Sequence, residues 1–300
     1  MTDNRFKNFP VDARFPSPGI DVRFATPGVD ARFRDGVDTR FEGDVYGGFD
    51  PIAALTPGAA VLAMWDASDL DTMFQDRAGS IPVTEPGQLV GVHRDKGTSG
   101  LHKVAVNDAA RGTYQTDGVR HWIACDGINT GYVTPAVNPG VDKVQFWAGQ
   151  GSRGLLTAIL VEMSATAASN AGSFYVAAPE SSSVRYSTAG RGNFGITAAV
   201  RADFATTPSN SDTAVITVTH DISGDLSTIQ RNGVAGVNAT GDKGLGNFGN
   251  YPIYFYRRGG TTLPLNGQSS IEILRFGDNL SPELLAQTNA FVGGKIGVML

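Results

Sequence analysis

The sequence predicts an all-β sandwich preceded by an extended, repeated arm, and three observations carry that expectation. Glycine and proline number 38 and 15 in 300 residues, too many turn formers for a helix bundle and well suited to many short strands. From about residue 61 to 277, apolar segments with a period of two recur between turn residues. Residues 11–41, VDARFPSPGIDVRFATPGVDARFRDGVDTRF, repeat nearly the same five-residue phrase four times.

The arm comes first in the chain. Its units are Val11–Phe15, Ile20–Phe24, Val29–Phe33 and Val37–Phe41, with a degenerate fifth at Asn4-Arg5-Phe6. In each unit, as in Val11, Ala13 and Phe15 against Asp12 and Arg14, side chains alternate in the manner of a strand. Pro18-Gly19, Pro27-Gly28 and Asp35-Gly36 stand between units, where proline fixes one turn dihedral and glycine supplies the positive φ of the next. Strands this short cannot offset their own backbone entropy, so the arm needs a partner surface. Phe15, Phe24, Phe33 and Phe41, beside Arg14, Arg23, Arg32 and Arg40, are the expected anchoring or oligomerisation residues, with a trimer favoured. A disordered Gly/Pro tail is the other reading. Residues 1–41 are thus the arm, 42–60 a Gly/Pro-rich linker, and 61–300 the folded domain.

In the domain, strands are expected at 143–149, 172–178, 212–223, 227–236, 251–258 and 269–277. Asn232-Gly233, between apolar alternations, is the strongest hairpin signal. One helix comes last: Ser281 caps it, Pro282 fits its first position, Leu284, Leu285, Thr288, Phe291 and Val292 trace its apolar face, and Gly293-Gly294 is expected to stop it.

Composition narrows the function classes. A net charge of −5 and a pI near 5.4 provide no basic footprint for nucleic acid. A single cysteine, Cys125, excludes an internal disulfide framework and a multi-cysteine metal site, and is expected as a buried thiol. The start lacks the features of a secretory signal and no apolar run has the length of a membrane span, so the expectation is a protein made in a bacterial cytoplasm without membrane insertion.

Motifs for chemistry are weak. GQGSRG at 149–154 has the spacing of a dinucleotide loop but lacks the acidic residue such a site needs further on. Glu162, Glu180, Glu272 and Glu283 stand alone, whereas glycosidases need carboxylates that flank one bond; Asp69 and Asp71 read as turn residues. His93, His102, His121 and His220 are scattered, and Asp221 and Asp225 read as turn residues rather than calcium ligands. No catalytic residue, metal site or cofactor is therefore assigned. In NYPIYFYRRGG at 250–260, alternation places Ile253 and Phe255 on one face and Tyr254 and Tyr256 on the other. Tyr254 and Tyr256, with Arg257 and Arg258, are the candidate glycan-binding residues, the other reading being that the tyrosines pack under a loop or against a neighbouring subunit.

Two stretches carry a resemblance. Asp221, Asn232-Gly233, Gly267, Ile271 and Leu280-Ser281 fall where a concanavalin A-like (laminin-G-like) jelly roll has its Asp turn, its hairpin and its last strand leading to a helix. MWDASDLDTMFQDRAGSIPVTEPGQLVGVHRDKG at 64–97 resembles a phrase that recurs in tailed-bacteriophage and prophage virion proteins carrying such a domain. The resemblance covers 61–300 and leaves the arm outside. It implies a concanavalin A-like jelly roll in a non-enzymatic structural virion protein on the surface of a capsid or tail. The arm would hold other virion proteins, and the domain would face outward as fibre, spike or decoration and contact host surface glycans. Alternatives are a decoration protein without a receptor role and a free carbohydrate-binding module; a polysaccharide-degrading enzyme is the least favoured.

Overall fold

A computed structural model describes residues 33–34, 37–38, 48–152, 158–164, 171–178, 184–190, 200–204, 212–234, 238–259 and 261–300. The chain divides into two units, Met1–Gly48 and Phe49–Leu300. In the first, β1 (Phe33–Arg34) pairs antiparallel with β2 (Val37–Asp38), Phe33 opposite Asp38 and Arg34 opposite Val37. The ends of two successive repeats thus meet across Asp35-Gly36, the dipeptide that favours a two-residue hairpin. Phe15, Phe24, Phe41, Arg14, Arg23, Arg32 and Arg40 lie outside the described residues.

The second unit opens with α1 (Pro51–Leu55), whose N-cap Asp50 accepts hydrogen bonds from the amides of Ile52 and Ala53 at 2.9 and 3.2 Å. Strands follow: β3 (Ala59–Asp66), β4 (Met73–Phe74), β5 (Leu89–Val90), β6 (Val92–His93), β7 (Lys103–Ala105), β8 (Gly112–Thr116), β9 (His121–Asp126) and β10 (Tyr132–Val133). Next come β11 (Lys143–Ser152), β12 (Ala158–Met163), β13 (Phe174–Ala178), β14 (Val184–Gly190), β15 (Val200–Phe204) and β16 (Asp212–Asp221). The chain closes with β17 (Leu226–Arg231), β18 (Asn238–Ala239), β19 (Ile253–Phe255), β20 (Asn266–Gly277) and α2 (Pro282–Lys295).

These strands form two antiparallel sheets. The back sheet runs β18-β17-β16-β11-β20-β9-β8-β5, and β3 pairs the Ile271–Gly277 part of β20 while β9 pairs its Asn266–Ser269 part. The front sheet runs β15-β14-β13-β12-β19-β10-β7-β6-β4. Phe146, Leu274 and Phe276 of the back sheet meet Phe174, Val176 and Phe255 of the front sheet in the main core. A second apolar layer lies behind the back sheet, where Leu55 of α1 and Val292 of α2 pack with Met64, Trp147, Ile271 and Ile273. Alternation along β20 sorts the side chains: Leu274 and Phe276 enter the main core, Ile271 and Ile273 the rear layer.

Three expectations change in detail. The segment 49–60 belongs to the compact unit rather than to a linker, because buried Arg275 donates to the carbonyls of Leu55 and Pro57, both at 2.9 Å. The helix runs through Gly293-Gly294 to Lys295 instead of stopping at the pair. Its end is at Gly297 (φ 73°), where the Val298 amide returns to the Gly293 carbonyl at 2.8 Å and the Gly297 amide to Gly294 at 3.3 Å, a Schellman turn. The third change, at Tyr256, bears on the site. By contrast, Asn232 and Gly233 adopt the two left-handed conformations (φ 52° and 70°) expected of the hairpin.

Candidate functional site

The phrase at 64–97 is built into the fold. Trp65 is buried and donates its indole N–H to the Leu101 carbonyl at 3.0 Å. Asp66 accepts from the Ser68 amide and hydroxyl and pairs with Lys295 at 2.9 Å, which ties β3 to the end of α2. Burial alone would raise the Asp66 carboxyl; the Lys295 cation and Ser68 bring it below its ordinary value. Asp69 pairs with Lys96 at 2.6 Å, and Asp95 accepts from the amides of Met64 and Gly97. A side chain at Gly97 would stand 2.3 Å from the Leu62 carbonyl, and one at Gly91 2.5 Å from the Asp76 backbone. The phrase therefore fixes loops onto β3 and the front sheet, and Asp69 is a turn residue as expected.

The interior holds a polar cluster that sequence reading missed. Lys103 of β7 reaches across the sandwich to Glu272 of β20 at 2.8 Å and to the Tyr256 hydroxyl at 3.1 Å. Glu272 also accepts from Tyr256 and from Ser269. The ammonium lies 5.0 Å from the Trp65 ring centroid and 4.8 Å from that of Phe255. Burial lowers the Lys103 pKa and Glu272 opposes that shift. Burial likewise pushes the Cys125 thiol well above its usual value, so Cys125 is the inert buried thiol expected.

Tyr256 belongs to this cluster, and here a candidate moves. β19 ends at Phe255, and Tyr256 takes a left-handed backbone conformation, φ 61°. That turn reverses the alternation, so Tyr256 is buried with Ile253 and Phe255 rather than beside Tyr254. Tyr254 and Tyr256 do not form a shared exposed platform.

Tyr254 instead stands in another row. Because Ile253 and Phe255, Val161 and Met163, and Phe174 and Val176 all point into the main core, Tyr254, Glu162 and Tyr175 point to the outer face. Register places them in line across β19, β12 and β13, with Val133 of β10 beside them: Val133 opposite Tyr254, Tyr254 opposite Glu162, Glu162 opposite Tyr175. The row continues through Val104, Val92 and Phe74. Tyr254 and Tyr175 are half-buried, while Glu162 is fully buried. Glu162 Oε1 accepts from Ser164 Oγ at 2.8 Å, and Oε2 has no hydrogen-bond partner among the described residues. Burial raises the Glu162 carboxyl; the Ser164 hydroxyl, the Arg258 cation and the Gly259 amide pull it the other way.

The remaining candidates fall apart from this row or flank it. Arg257 braces two loops, giving Nη1 to Asn129 O at 2.9 Å and Nη2 to Thr261 O at 2.7 Å. Arg258 is the cation that acts on Glu162. Asp221 accepts from Gly224 and Asn279, with Lys143 at 3.5 Å, and Asp225 accepts from the Lys243 amide. Both serve turns. Gly149 and Gly151 lie inside β11, paired on both sides, and a side chain at Gly149 would press on Ile296 and Ile271 at 2.8 and 2.9 Å. That GQG is a strand interior, not the turn a dinucleotide loop requires.

No family model and no curated protein matches the chain. Solved structures do. The binding domain of botulinum neurotoxin serotype D aligns over 82% of this chain and 53% of its own length, with 12% identity and a TM-score of 0.50. The chain has a jelly-roll sandwich fold. It spans about half of that neurotoxin domain. The binding domain of serotype G gives 12% identity, 78% and 51% coverage and a TM-score of 0.48. The CBM40 carbohydrate-binding module of the Ruminococcus gnavus IT-sialidase gives 14% identity, 49% and 83% coverage and a TM-score of 0.39.

Proposed function

We propose that Phe49–Leu300 is a non-catalytic, glycan-binding sandwich and that Met1–Gly48 fastens it to a phage or phage-like particle, with the sandwich facing the host. The observation that carries the binding half is the outer row of the front sheet. Half-buried Tyr254 and Tyr175 stand in line with Glu162 on the face away from the main core, the combination of aromatic rings and placed polar atoms that sugars require. Glu272, engaged by Lys103, Tyr256 and Ser269, is not set up as an acid facing a substrate.

The particle half rests on the repeated arm and on the phrase at 64–97 that resembles phage virion proteins. A repeating strand unit suits a repeating or extended surface on capsid or tail, and self-association into a trimer suits the same units. A decoration protein without receptor role keeps the arm and discards the glycan contact. Replacing Phe15, Phe24, Phe33 and Phe41 by Ala is expected to abolish incorporation into particles while Phe49–Leu300 stays folded. Normal incorporation of that variant removes the anchoring role, and unimpaired adsorption of particles lacking the protein removes the host-facing one.

A further inference from the structure

Resting on the glycan-binding reading, we infer that Arg77, Arg94 and Arg111, gathered around the loop 75–79, hold the phosphate or carboxylate groups of an acidic polysaccharide. The outer row ends at Phe74 of β4, the last strand of the front sheet, and the Arg94 guanidinium lies 4.0 Å from the Phe74 ring centroid. Arg94 gives Nη2 to the Gly79 carbonyl at 3.2 Å. Arg111 gives Nη1 to the Gln75 carbonyl at 3.1 Å and Nε to that of Asp108 at 2.9 Å. Arg77, inside the loop, gives Nε to the Ala105 carbonyl at 2.8 Å. Gln75 and Gly79 are separated by at most about 14 Å of extended chain, and the Gly79 amide turns back to the Asp76 carbonyl at 3.2 Å. The three guanidinia therefore share one short stretch of surface.

Backbone carbonyls fix these guanidinia without neutralising them. Nη1 and Nη2 of Arg77, Nε and Nη1 of Arg94 and Nη2 of Arg111 have no protein partner among the described residues. Arg77 and Arg94 are exposed and Arg111 is half-buried, so these donors are open to a ligand. Lys96, Lys103, Arg120, Lys143 and Lys295, by contrast, each meet a carboxylate. Two acidic residues belong to the same region. Asp76 turns its carboxylate to the Ser80 and Ile81 amides and the Ser80 hydroxyl, and Asp108 meets Arg111 through its backbone carbonyl. Neither forms an ion pair with the three arginines among the described residues. A guanidinium places two N–H groups on one oxyanion, a charge-assisted match that the hydroxyl of a neutral sugar does not offer. The net charge of −5 gives the chain no general attraction for nucleic acid, so the anion is assigned to the glycan.

The test is an array of uronic-acid and phosphodiester-linked polysaccharides beside neutral polysaccharides and a single-stranded oligonucleotide. It is probed with the purified full chain, with the double variant Arg77→Gln, Arg94→Gln and with Arg77→Lys. The expected result is retention of acidic over neutral polysaccharides, weakening as salt is raised, the tighter acidic class naming the oxyanion. The double variant is expected to lose at least about tenfold in affinity for the acidic class, the effect of one hydrogen bond to a charged group. An unchanged melting temperature separates lost affinity from lost fold; if the double variant melts lower, Arg77→Gln alone gives the same reading, because Arg77 makes a single backbone contact. Arg77→Lys keeps the charge and is expected to retain most of the affinity; a loss as large as that of Arg77→Gln makes the Ala105 contact the cause and overturns the inference. Acidic binding that the double variant retains overturns it too, and so does preference for neutral polysaccharides, while both leave glycan binding standing. Oligonucleotide binding as tight as that of the acidic polysaccharides overturns it in favour of an unselective anion surface. Binding of no polysaccharide overturns the inference and the glycan-binding reading together.

Discussion

Lys103 and Glu272 show what a residue does when its partner is far along the chain. They are 169 positions apart, yet their 2.8 Å contact joins the two sheets inside an aromatic cage. Removing one member of such a pair leaves the other charge buried and alone, whereas removing both need not destabilise. Lys103→Met is therefore expected to reduce stability by about 3–5 kcal/mol in a denaturant titration. Lys103→Met with Glu272→Leu is expected to recover most of that loss, and an equally unstable double variant would show that the hydroxyls of Tyr256 and Ser269 depend on the carboxylate. Tyr256 carries a related lesson. Residue alternation located Tyr254 on the outer face, but one left-handed residue at the strand end sent Tyr256 inward. Nothing local announces that reversal, because Tyr256 adopts it to reach Lys103 and Glu272.

At the scale of elements, local signals served well where the physics is local. Asn232-Gly233 adopts the hairpin its dipeptide prefers, and Ser281 caps α2 by accepting from the Leu284 amide at 3.3 Å. The end of α2 was misplaced because glycine acts there in two ways. Gly297 supplies the left-handed residue of the Schellman turn, while Gly293 makes room for the returning Val298 carbonyl, 2.5 Å from where a Cβ would stand. Gly297→Ala is expected to cost about 1–2 kcal/mol, the penalty of a left-handed L-residue, and Gly293→Ala more, since backbone must move. Thermal unfolding of the two variants checks the order; the reverse order would mean that α2 tolerates displacement more readily than strain at its cap. The outer row was half legible. Tyr254 came from alternation, but Glu162 and Tyr175 join it only through pairing of β12 with β19 and β13.

For the whole molecule, two buried histidines set an acid limit. Burial and Lys103 hold His93 well below its ordinary pKa, with Lys96 acting the same way and Asp66 opposing. Burial, then Lys243, holds His220 down at about 3. Both stay neutral in the fold and protonate in the unfolded chain, so their contribution is complete above the unfolded value of 6.5 and is lost as pH falls below it. Stability is expected to decline from about pH 6.5 downward, by up to about 1.4 kcal/mol per pH unit for each histidine. His220→Gln should make the slope in this range shallower, and an unchanged slope would assign the acid limit elsewhere. Assembly is tested by size-exclusion chromatography with light scattering on the full chain and on Phe49–Leu300. An oligomer formed by the full chain alone makes the arm an assembly element that closes on its own copies. Two monomers mean that the arm does not close on its own copies.

What the sequence determined by itself is whatever neighbouring residues decide: the all-β class from turn-former content and period-two alternation, the hairpin at Asn232-Gly233, the start of α2, the repeat of the arm. The pairing of Lys103 with Glu272, the inward turn of Tyr256 and the line from Tyr254 to Tyr175 were decided only when the sheets closed. Strand register and the stacking of two sheets are set by contacts between residues distant in sequence, and their side chains share a site only after the shared core has been buried.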